Sequence, residues 1–349
     1  MATTGRLITG APGRTRVRRS AQARADSRLG MLLATPSILF IIGVALFPLL
    51  GTIRDSMFKI SLRFANQAQP FVGLVQRVWY FSGVSPYDFP AMSPRILPRY
   101  SERTVLDNYV SVVQDDRWQN AMWVTGRVAG VSVVVELILG MVIALAINRA
   151  FVGRGIVRAA VLVPWALTTV VSARMWAWIY DGRYGVANDI LLRLHIIEKP
   201  LIFLAKPELT IWAMVGAEIW KTTPFMALLL LAGLQLIPSD IYEASAIDGA
   251  TGWQAFWRIT LPMLKPTILV ALLFRTIDAV RMFDLPRVLT NGGPGQSTET
   301  LVLYAYNTLF TSLNFGYGSA LAVMTFLTVL IISFIFIKVL GTPAQGGRS

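Results

Sequence analysis

The sequence has no cysteine and a single histidine, His195, in 349 residues. Disulfides and thiolate metal sites are thereby excluded, and no histidine cluster exists to hold zinc or iron. Charge is scarce as well. Asp, Glu, Lys and Arg make up 15% of the chain, and acids are the rarer kind, 19 against 32 basic residues. A soluble domain carries about 25% charged residues. With 54% hydrophobic residues and a mean hydropathy of +0.57, the composition is that of a polytopic membrane protein. A phosphate-binding loop is also missing. The stretch 292–298, G-G-P-G-Q-S-T, lacks the lysine of G-x-x-x-x-G-K-[ST] and follows no buried strand. The chain therefore has no evident means of binding ATP, and any ATPase must be a separate protein.

What is present begins with a basic excess of +13, concentrated in Arg6, Arg14, Arg16, Arg18, Arg19, Arg24 and Arg28 against a lone Asp26. Nucleic acid is the obvious partner for such a balance. Beside an apolar run the simpler reading is the positive-inside rule, which places residues 1–28 in the cytosol as a disordered arm, with no nucleic acid bound. Residues 29–53 form a first span, longer than the h-region of a cleaved signal peptide and without a nearby A-x-A site. Residues 54–120, with Pro70, Pro86, Pro90, Pro94 and Pro98, read as an extracytoplasmic loop, either solvated or in contact with an external partner.

Residues 121–340 read as a five-helix core with spans near 121–147, 156–180, 208–236, 263–286 and 317–340, and 341–349 as a cytosolic tail. Gly126 and Gly130, four apart, predict a close helix approach. Arg149, Arg154 and Arg158 mark a cytosolic turn, and Trp176, Trp178 and Tyr180 an interfacial belt at the opposite side. Residues 305–315 read as dipping back toward the membrane. The expected fold is all-α, with six spans and both termini cytosolic.

Ionisable groups within spans are costly, and they face a bundle interior or a watery cavity. The fifth span carries Arg275, Asp278, Arg281 and Asp284, with Met282 one turn beyond Asp278. Either these form an ion-pair ladder that fixes helix packing, or they line a passage for a hydroxyl-rich solute. The fourth span offers Glu218, Trp220, Lys221, Thr222 and Phe225 around Pro224. Those residues suit the hydroxyls and apolar faces of a sugar; the packing alternative is a Pro-kinked helix with a snorkelling lysine. Glu136 reads as a helix–helix hydrogen bond.

Between the fourth and fifth spans lies a polar island, 237–266. It reads as two short helices about a glycine turn. Asp240 and Glu243 are placed to form a capping box, Gly249 to take a positive φ, and Pro262 and Pro266 to open the next helix. Glu243-Ala244-Ser245-Ala246-Ile247-Asp248-Gly249-Ala250, followed by Ile259, Leu261 and Pro262, resembles the EAA signature of ABC importer permeases. Residues 218–238 and 275–298 are similar to carbohydrate permeases of the maltose-importer type. The likeness extends over about 30–340, and the arginine arm is most like the mycobacterial trehalose-importing members.

The resemblance implies a coupling helix at 238–256, where Glu243, Ala244, Ser245, Asp248 and Gly249 meet an ATPase. It implies a non-catalytic subunit in a bacterial plasma (inner) membrane that binds no cofactor itself. The implied partners are a second permease in a heterodimer, two ATP-binding-cassette subunits carrying ATP–Mg, an extracytoplasmic solute-binding lipoprotein, membrane lipid and a di- or oligosaccharide, with trehalose favoured. By position it implies solute contact from Lys221, Thr222, Phe225, Arg275, Asp278 and Met282. Two alternatives stay open: a glycerol-3-phosphate-type solute held by Arg275 and Lys221, and an ATP-independent secondary transporter, for which no inverted repeat is visible. A membrane-embedded enzyme is disfavoured by the missing cysteine and lone histidine.

Overall fold

The computed structural model describes residues 34–64, 96–103 and 106–341. The arginine arm, most of the proline-rich loop and the C-terminal tail lie outside these. Residues Met1–Gly51 and Thr52–Ser349 form separate compact units. Helix α1, Ala34–Ser56, has a mean hydropathy of 2.2 and includes a π-helical turn at Ile42–Leu46. Its large apolar side chains, Phe40 and Leu50 among them, are exposed.

The larger unit begins with Thr52. It is helical, as expected, apart from one two-stranded ribbon. Strand β1, Phe58–Phe64, pairs antiparallel with β2, Ile96–Arg103, with Phe58 opposite Arg103 and a bulge between Lys59 and Ile60. The period-two alternation of F-K-I-S-L-R-F is the local signal for this strand. Helix α2, Asp107–Gln114, is followed at once by α3, Asp116–Asn148. Asp115 separates them: it is extended, and its carboxylate accepts from the Arg117 N–H at 2.9 Å, so it caps α3 well before the predicted span start.

The predicted third span is not one straight helix. α4, Arg154–Ala166, and α5, Thr169–Ile179, meet at 89°. Pro164 removes a backbone bond from the last turns of α4, and Leu167 and Thr168 are extended, with Thr168 at the N-cap position of α5. Helix α6, Val186–Arg193, leads to α7, Pro207–Leu234, which passes through Pro224 unbroken. Then come α8, Ser239–Ile247, and α9, Gly252–Ala255. A π-helical turn, Phe256–Thr260, carries α9 into α10, Leu261–Val280. Pro262 sits in the opening turn of α10, whereas Pro266 lies inside it. The predicted fifth span is shortened: 281–283 leave the helix and Asp284 opens α11, Asp284–Leu289, so the four charges do not share one helix. Helix α12, Leu301–Tyr306, and a π-helical turn, Asn307–Thr311, precede α13, Phe315–Gly341.

By length and apolarity α1, α3, α7 and α13 can each cross a membrane, and the bent α4–α5 pair makes a fifth candidate. Helix α10 is 20 residues long but carries Lys265, Arg275 and Asp278, too much charge for a lipid-facing helix.

Close helix approaches occur at other glycines than predicted. A Cβ on Gly140 of α3 would lie 2.8 Å from Met226 Cγ, and one on Gly233 of α7 would lie 2.6 Å from the Thr267 side chain. Gly126 and Gly130 are exposed, with nothing within 4 Å of a Cβ, because they lie on the outer side of α3, while Val124 and Val128 of the same turns face α7. Gly140→Val is therefore expected to lower stability by about 1–3 kcal/mol through overpacking. Gly126→Ala should leave it unchanged or slightly higher. Thermal unfolding of the two variants is the check; equal effects would contradict this reading.

Two apolar clusters bracket a polar layer. One joins Val128, Met214 and Leu285; the other joins Met141, Met226, Leu230 and Leu264. Glu136, Glu218, Thr222 and Arg275 lie between them along α3, α7 and α10.

Candidate functional site

Arg275 is 1% exposed and organises the polar layer. Its Nε donates to Glu136 Oε2 at 2.7 Å and its Nη2 to Glu136 Oε1 at 3.0 Å, a bidentate pair between α10 and α3. Nη2 also reaches Glu218 Oε1 at 3.0 Å and Thr222 Oγ1 at 3.2 Å on α7. Nη1 donates to Asp278. Thr222 Oγ1 stands 2.7 Å from both Glu136 Oε1 and the Glu218 carbonyl. One guanidinium thus gathers three carboxylates and ties three helices together. Its partners differ in exposure: the Glu136 side chain is 0% exposed and that of Asp278 is 73%. Asp278 is the face of the network turned toward open space.

That space is a pocket of about 160 Å³. Lys221, Thr222, Asp278 and Met282 line it, together with Glu218, Arg281, Phe283 and Asp284. Four of the six predicted solute residues are brought together here. Arg275 lies behind the lining, held by its carboxylates. Phe225 is elsewhere: its ring stacks on Trp165 of α4, 5.5 Å between centroids at 17°, so it serves helix packing. Met282 reaches the pocket from the turn after α10, not from the helix face predicted for it. Of the two alternatives for Arg281 and Asp284, a packing ladder or a polar lining, the helix break places both on the pocket wall. Glu136, expected to make a helix–helix hydrogen bond, does so as the bidentate partner of Arg275. Its only local signal was an acid in an apolar span.

The second predicted site is the segment joining α7 to α10. No residue of α8 is buried. Glu243, Ala244, Asp248 and Gly249 are exposed, and half-buried Ser245 donates to the Tyr242 carbonyl at 2.8 Å. The predicted capping box at Asp240 and Glu243 does not form. The helix starts at Ser239 behind Pro238, which leaves Asp240 within the first turn, where its charge still favours the helix dipole. A capping box forms instead at Thr251 and Gln254. Gly249 has φ +79°, as predicted. Its N–H donates to the Ala246 carbonyl at 3.1 Å and that of Ala250 to the Ser245 carbonyl at 2.9 Å, a Schellman closure. The Tyr242 hydroxyl, 3.0 Å from Thr260 Oγ1, ties α8 to the turn that opens α10.

At the other end of α3 a polar clamp holds the glycine-rich loop. Arg117 donates to Glu299 at 2.7 and 2.8 Å, Asn307 to Glu299 at 2.9 Å, and Asn120 to the Gln296 carbonyl at 2.9 Å. Asp115 accepts from the Tyr304 and Tyr317 hydroxyls. Burial pushes its carboxyl up, but these hydroxyls and the Arg117 N–H outweigh that and hold it below its ordinary value. α12 and the turn after it fold onto α2, α3 and α13, with Val112, Ala121, Tyr304 and Leu321 in one cluster. Among the described residues no His, Asp or Glu group is placed to hold a metal ion.

Residues 136–341 match the model of the family described as binding-protein-dependent transport system inner membrane component. The trehalose/maltose transport system permease protein MalF of Thermococcus litoralis is 39% identical over 314 residues, 90% of this chain and 94% of the relative. The trehalose transport system permease protein SugA of Mycobacterium tuberculosis is 35% identical over 330 residues, 95% of this chain and 94% of the relative. Among solved structures, a bacterial ABC transporter involved in the import of the acidic polysaccharide alginate superimposes with a TM-score of 0.69 at 21% identity, over 93% of this chain and 98% of that one. The match thus takes in the polar layer and the exposed turn between α7 and α10. On these grounds the chain belongs to the binding-protein-dependent transport system inner membrane components, the permease subunits of ABC importers.

Proposed function

We propose that this chain is one permease of an importer that moves a neutral di- or oligosaccharide, with trehalose favoured, by alternating access. The observation that carries this reading is a shared pair of helices. α7 and α10 leave the exposed turn at 239–249 and meet again at Glu218, Thr222 and Arg275. Some 14 residues of each helix separate the two places, about 20 Å at 1.5 Å per residue. Motion imposed on the turn therefore acts on both walls of the pocket.

Six spans follow if α10 counts as a span shielded from lipid by its network, beside α1, α3, the α4–α5 pair, α7 and α13. Both termini are then cytosolic, in a bacterial plasma membrane. Two ATPases carrying ATP–Mg act on the turn from inside, and a solute-binding protein docks outside. Ligand pockets usually enclose about 300–1,000 Å³. At about 160 Å³ the pocket here is one wall of a site that a second, different permease completes.

Charge distribution supports a neutral solute. Relatives named as permeases for sulfoquinovosyl glycerol and for sn-glycerol-3-phosphate, each 33% identical, keep an anionic solute in view. Arg275 would be the natural ligand for such an anion, but its donors are already committed to Glu136, Glu218, Asp278 and Thr222. On the pocket wall Glu218, Asp278 and Asp284 outnumber Lys221 and Arg281. Sugar hydroxyls can donate to the carboxylates and accept from Lys221.

Each such hydrogen bond to a charged group contributes about 1.5–3 kcal/mol. Asp278→Asn and Lys221→Met are accordingly expected to raise the uptake KM by roughly tenfold or more, with the assembled complex retained. Unaltered kinetics in both would move the site elsewhere. Competition of uptake by excess trehalose but not by glycerol-3-phosphate is the companion result; the reverse order would favour the anion reading.

A further inference from the structure

A cavity of about 960 Å³ lies away from the polar layer, beside the turn that joins α7 to α10. One wall is a stripe of α3, with Met141 and Leu145 along it and Val142 61% exposed. The facing wall is aromatic: Trp253 and Trp257, rings 5.6 Å apart, are 70% and 51% exposed. No carboxylate lines this groove, and one charged residue does, Arg149, where α3 ends. Arg149 is exposed and has no hydrogen-bond or ion-pair partner among the described residues.

The dimensions suggest an occupant. From Leu137 to Arg149 the lining rises about 18 Å along the helix. One leaflet of hydrocarbon is about 15 Å deep, half of a bilayer core. A groove one leaflet long is apolar along α3, carries two indoles on its facing wall and ends α3 with a cation, the chemistry that acyl chain, glycerol region and phosphate require. Indole rings favour the glycerol level of a membrane, and basic side chains favour anionic headgroups at the cytosolic face.

We propose that this groove binds one anionic phospholipid of the cytosolic leaflet, its chain along α3 and its phosphate at Arg149. A zwitterionic lipid offers the same phosphate with its own ammonium beside it, whereas an anionic headgroup leaves its net negative charge for Arg149. A helix of the second permease could cover the apolar stripe, but nothing in that alternative requires the cation to sit one leaflet depth from the groove's inner end. Tyr242 of α8 lines the same groove and bonds to Thr260. An occupied groove therefore supports the setting of α8, and anionic lipid should assist coupling. The inference rests on the orientation proposed above and not on the identity of the solute.

The absence of cysteine supplies the test, since Val142→Cys introduces this chain's single thiol. The complete transporter carrying this variant, labelled with benzophenone maleimide, is placed in nanodiscs of phosphatidylcholine with a minority of phosphatidylglycerol and irradiated. The expected adducts are phospholipids, with phosphatidylglycerol enriched about fivefold over its bulk share. Adding Arg149→Gln should bring that enrichment to about one while lipid adducts persist. Adducts at the bulk ratio before Arg149 is changed, or adducts to the second permease, would overturn the proposal. Orientation is read separately, from whether Ser245→Cys is labelled from the cytosolic side, so the two failures are distinguishable.

Discussion

Replacing Arg275 by methionine is expected to cost about 3–5 kcal/mol, the usual result of removing one partner from a buried ion pair. Total stability of a domain is about 5–15 kcal/mol, so the loss should show as a sharp fall in folded, assembled transporter. Methionine keeps roughly the length of the side chain. The loss is therefore not mainly a cavity but two acids, Glu136 at 0% and Glu218 at 6% exposure, left without a cation. The cause can be separated from lost packing by removing the acids as well. Arg275→Met combined with Glu136→Gln and Glu218→Gln is expected to recover most of the deficit, because neutralising a whole buried network is often close to neutral in stability. Asp278→Asn, at a side chain 73% exposed, should cost about 0–1 kcal/mol by comparison. Unfolding midpoints of the solubilised complex rank the variants. A single Arg275→Met variant as stable as the parent would remove the hub from its assigned place.

The second large effect concerns coupling. Gly249→Pro is expected to reduce uptake to about a tenth or less, with a complex that still assembles. Proline holds φ near −65° and has no N–H. Gly249 needs φ +79° and uses its N–H on the Ala246 carbonyl. The substitution removes the Schellman closure and redirects the chain between α8 and α9. Gly249→Asn is the control, since asparagine enters the left-handed region at small cost and should keep most transport. Glu243→Ala tests the same lever without touching the backbone. Glu243 is exposed and has no partner among the described residues, so its loss should leave stability unchanged while solute-stimulated ATP hydrolysis and uptake fall together. Full uptake by the proline variant, with ATPase subunits bound, would discard the coupling role.

How much of this was legible in the sequence differs from element to element. α7 and α13 were placed within a few residues, since long apolar runs report themselves. Gly249 was recognisable because a positive φ at a helix end is a local demand that glycine meets. The pairing of F-K-I-S-L-R-F with 96–103 was missed although its alternation was visible, because proline-rich flanks argued for a loop. The bend between α4 and α5 was missed because apolarity continues across it, and only Pro164 hinted at a break. Gly126 and Gly130 had the small-residue spacing that Gly140 lacks, yet contact depends on which side of α3 is turned toward α7.

By itself the sequence determined the membrane class, the exposed turn between α7 and α10, and the presence of charge in the middle of helices. Each follows from hydropathy or backbone conformation over a few neighbouring residues. Only the tertiary structure decided that Arg275 joins Glu136, 139 positions away, that Phe225 packs on Trp165 while Lys221 faces the pocket, and that Arg281 and Asp284 line a wall. The reason is rotational. Each residue turns a helix by about 100°, so a charge in a span must face inward, but which neighbour it meets is set by how each helix is rotated against the others.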